Sequence, residues 1–115
     1  LTGCDSIAEG LHELKSFAKT IVVKDGSKGA LAWDGNTLVS QPAFLNERVV
    51  DSIGAGDSFN AGFVREFIDH KPFKKCMEIA ALMGAINTTS AGGTAAFENQ
   101  EKIREIASGR FNYRY

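Results

Sequence analysis

The chain has 115 residues, of which 43% are hydrophobic and 23% charged, and its formal net charge is −1. This composition is typical of one globular domain with one core and excludes a disordered chain. The near-neutral charge argues against a broad nucleic-acid-binding surface, and no apolar run reaches the roughly 20 residues of a membrane span. The start, Leu1–Cys4, contains neither an initiator Met nor a basic signal-peptide region. We therefore expect a truncated or internal piece of a cytoplasmic protein that binds neither nucleic acid nor membrane.

The cysteines and histidines do not form a metal or disulfide pattern. Cys4 and Cys76 lie far apart and belong to no CxxC motif, so we expect two free thiols in a reducing compartment. His12 and His70 have no second ligand type at metal-binding spacing and are expected at the surface.

The first elements are predicted as a helix followed by a strand. Ser6 and Glu9 have the spacing of a capping box, and apolar residues then recur on one face, which predicts a helix over 6–18. The β-branched run 20–23 ends at Asp25-Gly26 and predicts a buried strand.

A hairpin is predicted next. Two short apolar segments, 29–33 and 37–40, flank Asp34-Gly35-Asn36, which has the composition of a tight turn. Pro42 ends this hairpin, and Arg48-Val49-Val50 is predicted as one more short strand.

The second half of the sequence has helical periodicity. Phenylalanine recurs at every fourth position after Gly56, at Phe59, Phe63 and Phe67. A third helix is predicted from Pro72, with a stripe of small residues, to Gly92-Gly93, and a fourth is predicted to stop at Gly109. Early strands and late helices indicate part of an α/β layered domain with one or more crossovers and too few strands for a complete doubly wound sheet.

Gly54-Ala55-Gly56 precedes the Phe-rich helix directly. The start of a helix has unpaired N–H groups and partial positive charge, and glycine lets the backbone approach an anion closely. The three amides are therefore candidates for binding a phosphate-sized anion. These residues are equally compatible with a simple glycine-rich turn that leads into the helix.

Asp57 follows the glycines. A carboxylate in the first helical turn is favoured by the helix dipole alone, so it needs no function. It would repel an anion bound by the same amides unless the chemistry uses it. Phosphoryl transfer to an alcohol requires a group that accepts the hydroxyl proton, and Asp57 is in the right place to be that base.

The stretch Asp51–Asp57, DSIGAGD, resembles the D-[TS]-x-G-A-G-D signature of the ribokinase-like (PfkB) sugar kinases. Its continuation Ser58–Phe63 also fits that family. The segment 22–30 is similar to the family's strand and G-x-x-G loop, and 80–93 to its adenine-side helix and the glycine turn after it. Leu1-Thr2-Gly3 matches a further family segment. Nearly the whole chain is thus covered, in the order of the C-terminal part of such a kinase.

The resemblance implies the C-terminal part of a ribokinase-like three-layer α/β/α domain over residues 1–115, with an incomplete central sheet. It implies ATP and Mg²⁺ as cofactors, a sugar as acceptor, Asp57 as catalytic base and Gly54, Ala55 and Gly56 as anion hole. Nucleotide-binding positions by the same resemblance are Lys24, Gly26, Ser27, Gly29, Ala81 and Gly84. Asp51, the carbonyl of Ile53 and the turn near Gly92 match a monovalent-cation site, for K⁺.

The chain departs from the family pattern at several places. Lys24 stands where Thr is frequent, so its ammonium either lies near a phosphate or is a surface group at a strand end. Ala81 stands where Asn is common, which leaves adenine contacts to apolar walls and backbone. The sugar site and lid lie upstream in this family, so these 115 residues alone are expected to be inactive, and any homodimer would form through parts not present here.

Three functions remain open at this point. The first is an ATP-dependent sugar kinase, the second a nucleoside or vitamin kinase of the same fold, and the third a non-catalytic nucleotide-binding fragment. A dinucleotide-binding domain is a poorer match because no G-x-G-x-x-G opens a helix after Val23 or Val50.

Overall fold

A computed structural model describes Gly3 and residues 6–114 of the chain. The elements, in chain order, are α1 (Ile7–Leu14), β1 (Ile21–Lys24), β2 (Ala30–Trp33), β3 (Leu38–Gln41), α2 (Ala55–Ile68), α3 (Phe73–Asn87) and α4 (Gln100–Phe111), with short 3-10 turns at Gly26–Lys28 and Ala95–Phe97. The predicted order of helix, strand, hairpin and three helices is confirmed. Leu1, Thr2 and Cys4, which entered the sequence interpretation, lie outside the described residues.

The first helix begins as predicted but ends early. The hydroxyl of Ser6 accepts a hydrogen bond from the amide of Glu9 at 3.2 Å, as a capping residue does. The helix ends at Leu14 rather than at residue 18 because the hydrogen bonds tighten there: Lys15 donates to His12 and Phe17 to Leu14.

The three strands form an antiparallel sheet in the order β1-β2-β3, with Val22 opposite Ala32 and Ala32 opposite Val39. The sequence analysis predicted one or more crossover connections, but the described sheet has none because its neighbouring strands follow one another in sequence. β1 lies at an edge, so it is half-buried rather than buried. The predicted strand at Arg48–Val50 is also wrong. The amide of Val50 donates instead to the carbonyl of Thr88 at 2.9 Å, so this segment is anchored to a helix end and pairs with no strand.

Helices cover both faces of the sheet. Val22, Ala30, Ala32 and Val39 share one face and pack against side chains of α2 and α3. Trp33 points to the opposite face, where the ammonium of Lys15, the residue that caps the end of α1, lies 3.9 Å from the centre of its ring. The described chain is therefore layered as helix, sheet and helices.

The stripe of small residues lets α2 and α3 approach closely. Gly62 in α2 has so little room that an added Cβ would lie 2.9 Å from Met83 Cγ and 3.2 Å from Ala80 Cα. Gly84 in α3 lies against the start of α2: an added Cβ would be 3.3 Å from the carbonyl oxygen of Ala55 and 3.6 Å from Phe59 Cβ. A second cluster, which includes Ile86 and Ile103, joins α3 to α4.

The last two helices end elsewhere than the glycines predict. α3 ends at Asn87, before Gly92-Gly93. α4 continues through the exposed Gly109 to Phe111, because Asn112 adopts the left-handed conformation (φ 50°) that closes the helix. After α4 the chain packs back on the fold, where Tyr113 meets Phe44 edge to face at 5.6 Å.

The expectations for the cysteine and the two histidines among the described residues are met. Cys76 is a buried free thiol, and His12 and His70 are exposed. Among the described residues, no helix has both the length and the apolar content required to span a membrane.

Candidate functional site

A cleft of about 410 Å³ lies between the loop after β1, the segment 43–49, the start of α2 and the second half of α3. This volume is within the range of small-molecule sites. We call the predicted anion hole, Gly54–Gly56, the cradle. The six predicted nucleotide-binding residues all line the cleft, together with two residues of the cradle: Lys24, Gly26, Ser27, Gly29, Ala55, Gly56, Ala81 and Gly84. Folding thus brings together the three motifs that the sequence carries far apart.

The loop after β1 presents free backbone amides to the cleft. Gly26 and Gly29 have φ values of 53° and 97°, which favour glycine. A Cβ on Gly29 would lie 2.2 Å from the carbonyl oxygen of Gln41, so only glycine fits there. Lys28 and Gly29 donate to carbonyls within the loop, whereas no hydrogen bond among the described residues uses the amides of Gly26 and Ser27. Those two amides are available to an anion.

The cradle at the start of α2 is partly occupied by its own turn. Gly54 is the N-cap, with φ 81°, and its carbonyl accepts the amide of Ser58 at 2.9 Å. The amide of Ala55 donates to the carbonyl of Ser52 at 3.2 Å, so it is not free. Within the described chain no hydrogen bond uses the amides of Gly54, Gly56 and Asp57. The amides left for an anion are therefore not the predicted three: Asp57 replaces Ala55.

Lys24 lies next to this first turn. Its ammonium donates to the carbonyl of Gly56 at 3.3 Å and to the side-chain oxygen of Asn60 at 3.0 Å. It also lies 5.7 Å from the centre of the Phe59 ring, a distance that allows a cation–π attraction. Lys24 is an exposed residue at the end of β1, and its ammonium lies beside the cradle, so this position is compatible with both alternatives left open for it.

Asp57 follows Gly56 directly but is not among the residues that line the cleft, and its side chain is exposed. It occupies the first turn of α2, one residue beyond the cleft wall. A substrate that contacts Asp57 would therefore approach from its open side.

Asp51 fixes the turn before the cradle. Its carboxylate accepts the amide of Ile53 at 2.9 Å and that of Gly92 at 3.1 Å. These hydrogen bonds, that of Ile53 first, hold the pKa of Asp51 below its usual value because they stabilise the charged form. The carbonyl of Ile53 faces the same turn, 3.2 Å from the position of a Cβ on Gly93. The predicted cation ligands thus lie together.

The donor set at this turn suits a hard cation. It consists of carboxylate and carbonyl oxygens, each of which has a second lone pair beyond the hydrogen bond it already accepts. In the described part of the chain, no group of three or more His, Cys, Asp or Glu residues is arranged to hold a metal ion.

Sequence reasoning missed one wall of the cleft. The segment after β3 contributes Phe44, Leu45 and Val49, and Thr88, which caps the end of α3, completes this wall. The apolar pair Phe44-Leu45 just after a proline was the available signal, but its partners lie at the far end of α3. Together with Phe59 these side chains give the cleft an apolar end suited to a flat heterocycle.

A second, larger cleft of about 680 Å³ lies at the other end of α2, lined in part by Arg65, Lys71 and Arg114. None of its lining residues was predicted as a site residue. We assign the candidate site to the smaller cleft because the free amides, Lys24 and the apolar wall converge there.

Comparison with solved structures identifies the fold. Ribokinase of Arabidopsis thaliana complexed with ribose and ATP superposes with a TM-score of 0.79 and 24% identity, over 90% of this chain and 35% of that one. A fructokinase double mutant from Vibrio cholerae, bound to fructose, ADP and potassium, gives a TM-score of 0.76 and 30% identity, over 89% and 35%. The fold is that of the ribokinases, and the predicted α/β class is confirmed.

Sequence comparison identifies the family. The model of the pfkB family carbohydrate kinases matches residues 2–100. The chain belongs to the pfkB family of carbohydrate kinases. It is 34% identical to 2-dehydro-3-deoxygalactonokinase of Haloferax volcanii over 79% of this chain and 28% of that one. It is 28% identical to 2-dehydro-3-deoxygluconokinase of Bacillus subtilis over 96% and 34%. The chain therefore spans about a third of the length of these relatives.

Proposed function

We propose that the complete protein transfers the γ-phosphoryl group of ATP to a hydroxyl group of a sugar or sugar derivative, and that residues 1–115 are the C-terminal, nucleotide-binding part of that kinase. The observation that carries the proposal is that the β1 loop, the cradle and the small residues of α3 all line the same cleft. Membership of the pfkB family supports the reaction class.

In this proposal the adenine lies against Ala81, Gly84 and the apolar wall, and the phosphates extend toward α2. The amides of Gly26 and Ser27 contact the phosphate chain. Those of Gly54, Gly56 and Asp57 face the transferring phosphoryl group with Lys24 beside it. Preorganised donors of this kind stabilise charge that develops in the transition state, and removal of one costs roughly 3 kcal/mol in activation free energy.

Asp57 acts as general base in this proposal. Its carboxylate takes the proton of the acceptor hydroxyl as that oxygen bonds to the γ-phosphorus, and the bond from that phosphorus to the bridging oxygen of ADP breaks. The exposure of Asp57 supports this role because it leaves room for an acceptor beside the cleft. The sugar-reading residues are then expected in the part of the family fold that this chain does not span.

The proposal gives each implied ion a place. Mg²⁺ would be held through the ATP phosphates and would neutralise their charge. A monovalent cation would be held by the carboxylate of Asp51 and the carbonyl of Ile53, where it would shape the cradle without contacting substrate. A kinase that uses ATP in this way is expected in the cytoplasm.

The test is ADP release by the complete protein with a panel of acceptors. The panel starts with 2-dehydro-3-deoxy sugar acids, the substrates in the names of two relatives, and includes hexoses, ribose and nucleosides. Nucleosides belong in it because a nucleoside kinase of Methanocaldococcus jannaschii is 27% identical over 74% of this chain. Transfer to a nucleoside alone would favour the nucleoside kinase, and tight ATP binding without any transfer would favour a non-catalytic role.

Asp57→Asn tests the base, and Asp69→Asn is its matched control. Asp69 is the exposed residue that ends α2 and pairs with Lys71 at 3.5 Å, so it carries the same charge far from the cradle. We expect Asp57→Asn to lower kcat at least 100-fold and Asp69→Asn to leave it unchanged. Near-full turnover in Asp57→Asn would refute the assignment of the base.

A further inference from the structure

We propose that Asn87, the last residue of α3, is the positioning residue that holds the phosphate cradle in shape. The inference rests on the proposed function for its catalytic meaning, but its geometry is independent of any substrate. Asn87 has a relative exposure of 1%, and it is the one buried polar or charged residue in the described part of the chain.

Both polar atoms of the Asn87 side chain are bonded to the cradle. Its Nδ2 donates to the carbonyl oxygen of Ile53 at 2.6 Å, and its Oδ1 accepts from the hydroxyl of Ser58 at 3.0 Å. Ile53 lies just before the cradle and Ser58 just after it. One buried amide therefore connects the two ends of the segment that presents the free N–H groups.

The first residue of the cradle, Gly54, lies against the same side chain. A Cβ on Gly54 would be 3.6 Å from both the Nδ2 and the Oδ1 of Asn87, so the bare backbone of Gly54 packs directly on this amide. The residue that caps the end of α3 strengthens the arrangement, because the carbonyl of Thr88 accepts the amide of Val50 at 2.9 Å. The end of α3 thus serves as the support on which the turn 50–54 and the first turn of α2 are built.

Only an amide of this length satisfies both partners. The site needs a donor toward Ile53 and an acceptor toward Ser58 on one short planar group. Aspartate has no donor for the carbonyl, and leucine leaves the carbonyl without its buried partner. Since small errors in the position of catalytic groups slow a reaction strongly, we expect the loss of this support to lower both ATP affinity and turnover.

The test compares Asn87→Leu and Ser58→Ala with the control Ile86→Val in the complete protein. Ile86 is fully buried one residue earlier but packs into the α3–α4 core, away from the cradle. Ser58→Ala removes one hydrogen bond with little change in the core, so it remains informative if Asn87→Leu does not fold. Amide hydrogen exchange of residues 54–58, ATP affinity and the separate kcat and KM for ATP are measured for each.

We expect at least tenfold faster exchange at residues 54–58 and at least a tenfold loss of kcat/KM for ATP in Asn87→Leu. Ser58→Ala should show a smaller change in the same direction, and Ile86→Val none. Exchange and ATP kinetics in both cradle variants equal to those of Ile86→Val would overturn the inference. Hydrogen exchange is measured without substrate. If the native protein shows no transfer activity but the two cradle variants exchange faster as expected, only the proposed function is overturned.

Discussion

The ammonium group of Lys24 lies 3.3 Å from the carbonyl oxygen of Gly56, and this hydrogen bond joins the end of β1 to the first turn of α2 in the wall of the cleft. The same group reaches the side-chain oxygen of Asn60 at 3.0 Å. A carbonyl and an amide oxygen leave its positive charge uncompensated, so it can still attract a phosphate. This single residue therefore combines a structural contact with an electrostatic one.

Replacing Lys24 by methionine keeps the length of the side chain and removes the charge. We expect ATP affinity to fall roughly tenfold, because a charge-assisted hydrogen bond to phosphate is worth about 1.5–3 kcal/mol and Lys24 is exposed to solvent screening. Calorimetric titration with ATP at two salt concentrations measures this affinity and its dependence on salt. Lys28→Met is the control, since Lys28 is exposed on the same loop and does not line the cleft. Equal losses in both variants would contradict the assignment.

Gly62→Ala tests the close packing of α2 on α3. The new methyl group would meet Met83 and Ala80 at 2.9–3.2 Å, so it must displace the neighbouring helix. We expect the free energy of unfolding to fall by about 1–3 kcal/mol, as measured by urea denaturation. Gly109→Ala in α4 meets nothing within 4 Å and should raise that free energy by up to about 1 kcal/mol. Stabilisation by both substitutions would contradict the packing described here.

The stability that Asp51 contributes depends on pH with a defined sign. The pKa of its carboxyl is lowered in the folded state by the amides of Ile53 and Gly92, so its contribution is fully present above the unfolded pKa of about 3.9. It is lost as the pH falls through the lower, folded pKa. We expect the difference in melting temperature between the native chain and Asp51→Asn to be constant from pH 7 to about pH 4.5 and to shrink below that.

Asp34→Asn separates this effect from the general acid response. The pKa of Asp34 is also lowered, by the amides of Thr37 first and then Asn36, but it lies in the hairpin turn. Amide shifts of Ile53 and Gly92 should follow the titration of Asp51 and be unaffected by Asp34→Asn. A titration of those two amides near pH 6 would show that another group controls the turn.

Cys76 is expected to be unreactive in the folded chain. Burial raises the pKa of its thiol, and the nearby carboxylate of Glu66 adds to this, so thiolate is scarce at neutral pH. In a Cys4→Ser background, alkylation by iodoacetamide at pH 8 should be at least 100-fold slower than in denaturant. Labelling at the rate of a free thiol would mean that α3 opens locally.

Local signals in the sequence were sufficient for the parts of the fold whose partners lie nearby. The hairpin turn formed as predicted because the carboxylate of Asp34 accepts the amides of Asn36 and Thr37 at 2.8 and 2.7 Å. The stripe of small residues predicted in the third helix is where α2 packs closely on α3, with Gly84 against Ala55 and Phe59. The glycines of the β1 loop and of the cradle were singled out by their sequence motifs, and the structure gives Gly26, Gly29 and Gly54 positive φ values that favour this residue.

Long-range partners explain what the sequence did not reveal. Arg48–Val50 has the composition of a strand, but the amide of Val50 finds its acceptor at Thr88, 38 residues later. Asn87 is polar in an otherwise apolar stretch, and only the folded structure shows that Ile53 and Ser58 surround it. Gly109 was predicted to end α4, but the helix continues through it. The left-handed conformation that ends the helix is adopted by Asn112 instead.

As an edge strand, β1 affects how the chain behaves at high concentration. In the described sheet β1 pairs only with β2, so its other row of backbone donors and acceptors is open to any extended peptide. Such a row is a template for strand exchange between molecules, and Lys24 at its end is the one charged side chain of β1 that opposes it. Concentrated solutions of these 115 residues should therefore oligomerise through their backbones, and a short peptide that adds a strand there should keep them monomeric.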